Sequence, residues 1–233
     1  MTITTEAEVV EAIRAAQAPL SLRGGNTRGM AGPGSDLSLA GLRGISLYEP
    51  GALTLVAQAG TPVSEIETTL AAEGQRLAFE PMDHRALMGC SGTPTIGGIF
   101  AANVSGPRRL AIGAARDFLL GVRFVDGQGN VIKNGGRVMK NVTGYDLVKL
   151  MAGSRGTLGA LTEVSLKVLP EPETSATLVL SDLDDPASIA AMAQAMRSPF
   201  EVTAAAHDPA QRRTYLRLEG FEASVTYRIG RLE

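Results

Sequence analysis

Polar and apolar positions along the chain alternate between a helical and an extended period. Thr5 opens a helical stretch with Glu8 at capping-box spacing, and Val9, Ile13 and Ala16 recur on one face until Pro19. Short extended pieces are expected at Leu20–Arg23, Asp36–Leu39 and Gly44–Tyr48, and Leu53–Ala59 reads as a strand. Thr61 and Pro62 predict the next helix start, with Thr61 as cap; Val63, Ile66 and Leu70 form its apolar stripe and Gly74 closes it. Further on, Phe118, Leu120, Val122 and Phe124 alternate, Asp126–Asn130 is a turn cluster, and Val131–Lys133 predicts the returning arm of a hairpin. Tyr145–Met151 predicts a short helix. Val164, Leu166 and Val168 alternate with Glu163, Ser165 and Lys167, the pattern of a half-buried strand.

Pro170 and Pro172 mark a boundary, giving domains of 1–172 and 173–233. The second reads as a strand at Thr177–Leu180, a helix capped by Asp185–Pro186, extended pieces near Val202 and Tyr215, and an amphipathic stretch with Phe221, Val225 and Ile229. Strand–helix–strand–strand–helix leaves a sheet edge open, so this unit is expected to be truncated, or completed by another subunit or a second copy. The terminal Leu232–Glu233 reads as a vector remnant. The expected fold class is α+β, with a small N-terminal β/α part to about Glu80 and a mixed or antiparallel sheet after it.

Composition narrows the function. Of 233 residues, 44% are hydrophobic, enough for a core, and the formal net charge of -2 makes nucleic acid a poor partner. One cysteine, Cys90, excludes an internal disulfide and an iron–sulfur cluster held by this chain alone. His84 and Cys90 are too few to hold zinc, so no metal is expected. Glu6, Glu8 and Glu11 stand where a signal peptide needs positive and apolar residues, and a cytoplasmic setting is the default. The uncharged run Ala86–Pro107 is long enough to span a bilayer, but its five glycines and two prolines argue against a membrane helix. A buried cofactor gives such a run another purpose.

Three glycine-rich segments carry the candidate chemistry. Arg23-Gly-Gly-Asn-Thr-Arg28 follows a short strand: glycine lets backbone N–H groups approach a pyrophosphate, Asn26 and Thr27 add donors, and Arg28 adds charge. The plain alternative is a Gly-Asn surface turn. Gly92-Thr-Pro-Thr-Ile-Gly-Gly98 leads to Asn103 and Ser105–Gly106; Thr95 can cap a helix from Ile96 whose first N–H groups and dipole favour an anion. Gly97 and Gly98 each cost that helix about 1 kcal/mol, which either a ligand or tight packing on a neighbour would explain. Gly153-Ser-Arg-Gly-Thr-Leu-Gly159 precedes the late alternating strand, where Gly156 allows a bend and close contact.

In this order the three segments resemble the FAD-binding domain of the vanillyl-alcohol-oxidase, or PCMH-type, family over about residues 5 to 172. Ser105-Gly-Pro-Arg-Arg109, Ala115-Arg-Asp117, Gly135–Leu147 and Leu161–Pro170 are similar, more narrowly, to the second flavin subunit of bacterial glycolate oxidases. The resemblance implies non-covalent FAD held by Arg23, Gly24, Gly25, Asn26, Thr27, Arg28, Pro81, Gly92, Thr95, Ile96, Gly97, Gly98, Asn103, Gly106, Gly156 and Leu161. It implies an oxidoreductase subunit acting on a 2-hydroxy acid such as glycolate, beside a larger flavin subunit and an iron–sulfur subunit, cytoplasmic or brought to a membrane by partners. Family members are longer, and no His or Tyr is placed as a catalytic base. A non-catalytic assembly subunit and a stand-alone oxidase therefore stand as alternatives. Cys90 reads as a small buried residue, and Met88, Met139, Met151, Met192 and Met196 as core filler. Arg108 and Arg109 form a solvated face, or touch a flavin, a carboxylate or a partner. Lys140–Asn141 fix a loop by hydrogen bonds.

Overall fold

The computed structural model describes residues 3–29, 32–137 and 144–232. In chain order the elements are α1 (Glu6–Ala15), β1 (Leu20–Arg23), β2 (Ser35–Ser38), β3 (Ile45–Glu49), β4 (Thr54–Gln58), α2 (Val63–Ala71), β5 (Gln75–Arg76), α3 (Arg85–Met88), α4 (Ile96–Ala102), α5 (Arg109–Ile112), α6 (Ala115–Phe118), β6 (Leu119–Val125), β7 (Val131–Gly135), α7 (Leu147–Met151), β8 (Ala160–Lys167), β9 (Leu169–Pro170), β10 (Thr174–Ser181), α8 (Asp185–Arg197), β11 (Ala204–Asp208), β12 (Arg213–Gly220) and α9 (Glu222–Leu232). Two compact units form, residues 1–106 with 114–169, and residues 107–113 with 170–233.

The first unit has a five-stranded sheet in the order β3-β4-β8-β6-β7, antiparallel throughout, and a separate parallel pair, β1 with β2. The alternation around Val164 is visible in β8, where Val164 and Leu166 are fully buried and Glu163, Ser165 and Lys167 are not. The turn at Asp126–Asn130 joins β6 to β7, its Asp126 carboxylate accepting the N–H groups of Gln128 and Asn130. The division expected near Glu80 is not where the sheets part. β3 and β4 pair into the five-stranded sheet through β8, so of the strands before Glu80, β1, β2 and β5 stand outside it.

Local chemistry sets most helix starts. Thr5 and Glu8 make the expected reciprocal cap on α1. Thr61 does not cap α2; its hydroxyl lies 2.7 Å from the Gln58 carbonyl and 3.0 Å from the Gly44 N–H, tying two loops, and Pro62 takes the cap position without a side-chain bond. Tertiary partners for the hydroxyl outcompeted the helix end. Phe79 and Phe100, both fully buried, pack with tilted rings whose centres are 5.5 Å apart, and the Phe118 ring lies 5.5 Å from Phe79. This aromatic row anchors α4 in the core.

The second unit is an antiparallel sheet in the order β10-β12-β11, with β10 and β11 at its edges and α8 and α9 packed on it. Strand, helix and strand order agrees with the sequence pattern, but Asp184, not Asp185, caps α8, accepting the Ala187 N–H at 2.8 Å. Arg228 of α9 is 7% exposed and donates to the carbonyls of Glu219 at 2.8 Å and Phe200 at 3.1 Å. Arg108 does not form a solvated face: its guanidinium lies 3.5 Å from the buried Glu219 carboxylate. Arg109 is exposed. Among the described residues no helix is long and apolar enough to cross a membrane.

An ion pair clamps α1 to the large sheet. Glu6 accepts from Arg123 at 2.6 and 2.7 Å and from the Thr162 hydroxyl at 2.7 Å. The Arg123 hydrogen bonds, opposed by partial burial and aided by Thr162, hold the Glu6 carboxyl below its ordinary range. Because the folded-state value is depressed, the pair stabilises fully above the unfolded value of about 4.3 and loses its effect as pH falls toward the folded value. Glu6→Gln should therefore cost about 1 kcal/mol at neutral pH, the low figure reflecting solvent screening of a partly exposed pair. Urea melts of both proteins at pH 7 and pH 3.5 check this: the difference should shrink at the lower pH.

Candidate functional site

β1 delivers the chain into the Gly24–Arg28 loop. Arg23, its last residue, pairs with Asp36 of β2 at 2.7 Å, and its carbonyl accepts the Leu39 N–H at 2.7 Å. Beyond it the loop meets the 92–95 segment at a distance that no side chain tolerates. A Cβ on Gly25 would sit 1.4 Å from the Thr93 carbonyl oxygen, one on Gly92 would sit 1.7 Å from the Gly25 oxygen, and one on Gly24 would sit 2.4 Å from Thr95 Oγ1. These glycines are needed by one another, as two interlocked backbones. Gly97 follows the packing alternative, its missing Cβ facing Ala59 Cβ at 2.6 Å, whereas that of Gly98 faces Arg28 Nη2 and Thr95 Oγ1, both at 3.1 Å.

Thr95 caps α4 as expected, accepting the Gly98 N–H at 3.4 Å. The first N–H groups of α4 are nonetheless already engaged: Ile96 donates to the Thr61 carbonyl at 3.0 Å and Gly97 to the Ala59 carbonyl at 2.8 Å. The helix start that was expected to receive an anion is thus satisfied within the protein. The loop supplies donors instead. Among the described residues, none accepts a hydrogen bond from the main-chain N–H groups of residues 24–28. Backbone donors in such a turn need either water or an anion. Arg28 reaches across to the Gly98 carbonyl at 2.6 Å, and burial, then the charge of Arg155, lowers its proton affinity. A guanidinium remains charged despite such a shift, so this charge favours an anionic neighbour.

Loop, helix and a late turn together line one groove of about 150 Å³. That is below the range of about 300–1,000 Å³ for whole-ligand pockets, so it suits one charged portion of a larger ligand. Arg23, Arg28 and Arg155 line it, and no carboxylate does. Of the residues expected from sequence, Arg23, Gly24, Gly25, Asn26, Thr27, Arg28, Thr95, Gly97, Gly98, Gly156 and Leu161 come together here. The others lie outside the lining. Ile96 is fully buried in the core, Gly92 packs on Gly25, and Gly106 donates to the Phe79 carbonyl at 2.9 Å beside Pro81. Asn103 ends α4 at φ 51° and accepts the Arg116 N–H at 2.9 Å.

Arg155 and the small wall of Ala59, Ala101 and Ala102 were not among the expected residues. The signal for Arg155 was its place between Ser154 and Gly156 in a turn already singled out; the alanines carry no such signal. Cys90 is half-buried rather than buried, and Met88, 46% exposed, is not core filler, whereas Met151 is. His84 and Cys90 do not line the groove, and among the described residues no cluster of three or more His, Cys, Asp or Glu could hold a metal. Met139 and Lys140–Asn141 lie outside the described residues.

A groove rich in donors and arginine on a fold of this kind defines a nucleotide-cofactor domain, and comparison with known proteins identifies which. Residues 1–135 match the FAD binding domain family, and the chain belongs to that family. It is 39% identical over 211 residues to glycolate oxidase subunit GlcE of Escherichia coli, covering 89% of this chain and 57% of that subunit. It is 46% identical over 85 residues to glycolate oxidase subunit GlcD of Bacillus subtilis, 36% of this chain and 18% of that one. Alkyldihydroxyacetonephosphate synthase shares the fold, with a TM-score of 0.78 at 18% identity over 99% of this chain and 48% of that one. The chain thus spans less than two thirds of each relative. FAD is the cofactor this membership indicates, and the groove fits its diphosphate in charge and donors.

Two glycine variants separate scaffold from ligand contact. Gly25→Ala should lower stability by on the order of 3 kcal/mol, because backbone must move to admit the methyl group. Gly98→Ala should leave the flavin-free melting temperature at or above the parent's, since Ala gains helix stability. It should reduce FAD per chain by displacing the Arg28 guanidinium. Thermal melts and flavin content after purification read both effects.

Proposed function

We propose that the groove holds FAD by its diphosphate, and that the chain is the flavin-binding part of an oxidoreductase acting on a small 2-hydroxy acid such as glycolate. The observation that carries this reading is a groove with three arginines, no carboxylate, and loop N–H groups that have no acceptor among the described residues. The N–H groups of residues 24–28 and the Arg28 guanidinium would hold the diphosphate, with Arg23 beside them and its charge shared with Asp36. Gly156 and Leu161 also line the groove. When bound, FAD supplies the two-electron acceptor for oxidation of the hydroxyl carbon. Its attachment is proposed to be non-covalent.

The similarity to two glycolate oxidase subunits supports a place in a multi-subunit complex, with electrons passed to a larger flavin subunit and an iron–sulfur subunit. Residues 1–172 are proposed as the flavin-binding domain and 173–233 as part of a cap domain. A second reading is an assembly subunit that keeps FAD without turnover. The sequence favours it in that no His or Tyr is placed as a catalytic base.

The absorbance spectrum of the pure protein, taken anaerobically with and without glycolate, separates these readings. A flavin spectrum bleached by glycolate supports catalysis by this chain. A flavin spectrum untouched until partner subunits are added supports the assembly reading, and a colourless protein that takes up no added FAD overturns both. Arg28→Gln should weaken FAD binding by about tenfold or more, as expected for loss of a charge-assisted hydrogen bond. Fluorescence titration with FAD checks the magnitude.

A further inference from the structure

The turn at residues 153–156 is built onto α4. Gly153 donates to the Phe100 carbonyl at 3.0 Å and Arg155 to the Ala101 carbonyl at 2.7 Å. Arg155 adopts φ 55°, a left-handed conformation that non-glycine residues seldom take, between Gly153 at 91° and Gly156 at 79°. A glycine would occupy that position without strain, so a side chain here is held at a cost that needs a reason. The same helix anchors Arg28 through the Gly98 carbonyl at 2.6 Å. The Arg28 guanidinium and the Arg155 backbone are therefore both fixed to one seven-residue helix, and both residues line one groove. Among the described residues no carboxylate pairs with either, whereas the third arginine, Arg23, is neutralised by Asp36 at 2.7 Å. Two like charges held in one groove repel each other unless an anion lies with them.

We propose that Arg155 is a cofactor-positioning residue, the second cationic arm that with Arg28 clamps the diphosphate of a dinucleotide. The proposal rests on the flavin reading of the groove. A diphosphate diester carries one negative charge on each phosphate, which matches two unpaired arginines one for one. Arg28 is half-buried and tethered, and so supplies the fixed arm. Arg155 is exposed at the turn, and so supplies the arm that closes on the ligand.

The test uses the full chain stripped of flavin, with FAD affinity titrated across a range of salt concentrations for the parent, Arg155→Gln, Arg155→Lys and Arg155→Gly. Arg155→Gln and Arg155→Gly should weaken FAD binding on the order of tenfold and flatten its salt dependence, while Arg155→Lys keeps most of the affinity. The flavin-free Arg155→Gly protein should melt no lower than the parent, because glycine relieves the left-handed backbone. Affinity unchanged in Arg155→Gln overturns the clamp and leaves the flavin reading standing. Affinity lost with an unchanged salt dependence, or lost equally in Arg155→Lys, makes the residue a spacer and also overturns the clamp. A parent protein that binds no FAD overturns both.

Discussion

The carbonyl oxygens of Thr93 and Gly25 occupy the space where side chains on Gly25 and Gly92 would stand. This mutual exclusion joins the end of β1 to the segment that starts α4, although about seventy residues separate them in the chain. Once the two backbones interlock, the positions of the loop N–H groups follow. The Gly24–Arg28 loop lines the groove, and its N–H groups have no acceptor among the described residues. Arg28 is then within reach of Gly98, and α4 becomes the common support for both the loop and the 153–156 turn.

The helix start itself contributes shape more than donors. Its first N–H groups serve the carbonyls of Ala59 and Thr61, which seats α4 on the end of β4. Gly97 permits that seat, and the Phe79–Phe100–Phe118 row secures it from the core side. The groove therefore rests on a rigid, dry scaffold while its polar lining comes from loops. A ligand that satisfies those loop donors stabilises the folded state in proportion to the logarithm of its concentration over its dissociation constant. The flavin is on this account a structural partner of the loop as well as the carrier of redox chemistry.

Much of this architecture could be read from the chain. Local rules sufficed where partners are close in sequence, as in the Thr5–Glu8 cap, the Asp126 turn and the alternation of β8. The order of three glycine-rich segments brought eleven expected residues to one groove. What was left open or misread depends on distant partners. Glycine at 25, 92 and 97 looks the same in sequence whether it admits a ligand or a neighbouring backbone, and only the fold shows the backbone there. Thr61 has the chemistry of a cap but found acceptors across a loop. Arg155 was passed over because its left-handed backbone is invisible until the turn is built.

The central claim is that the loop at residues 24–28, and not the start of α4, donates its backbone N–H groups to the cofactor. Amide hydrogen exchange, resolved to single residues with and without FAD, tests it most directly. The amides of residues 24–28 should exchange freely without FAD and become protected with it, while Ile96 and Gly97 are protected in both states. Protection that appears at Ile96 and Gly97 on adding FAD, with residues 24–28 unchanged, would contradict it.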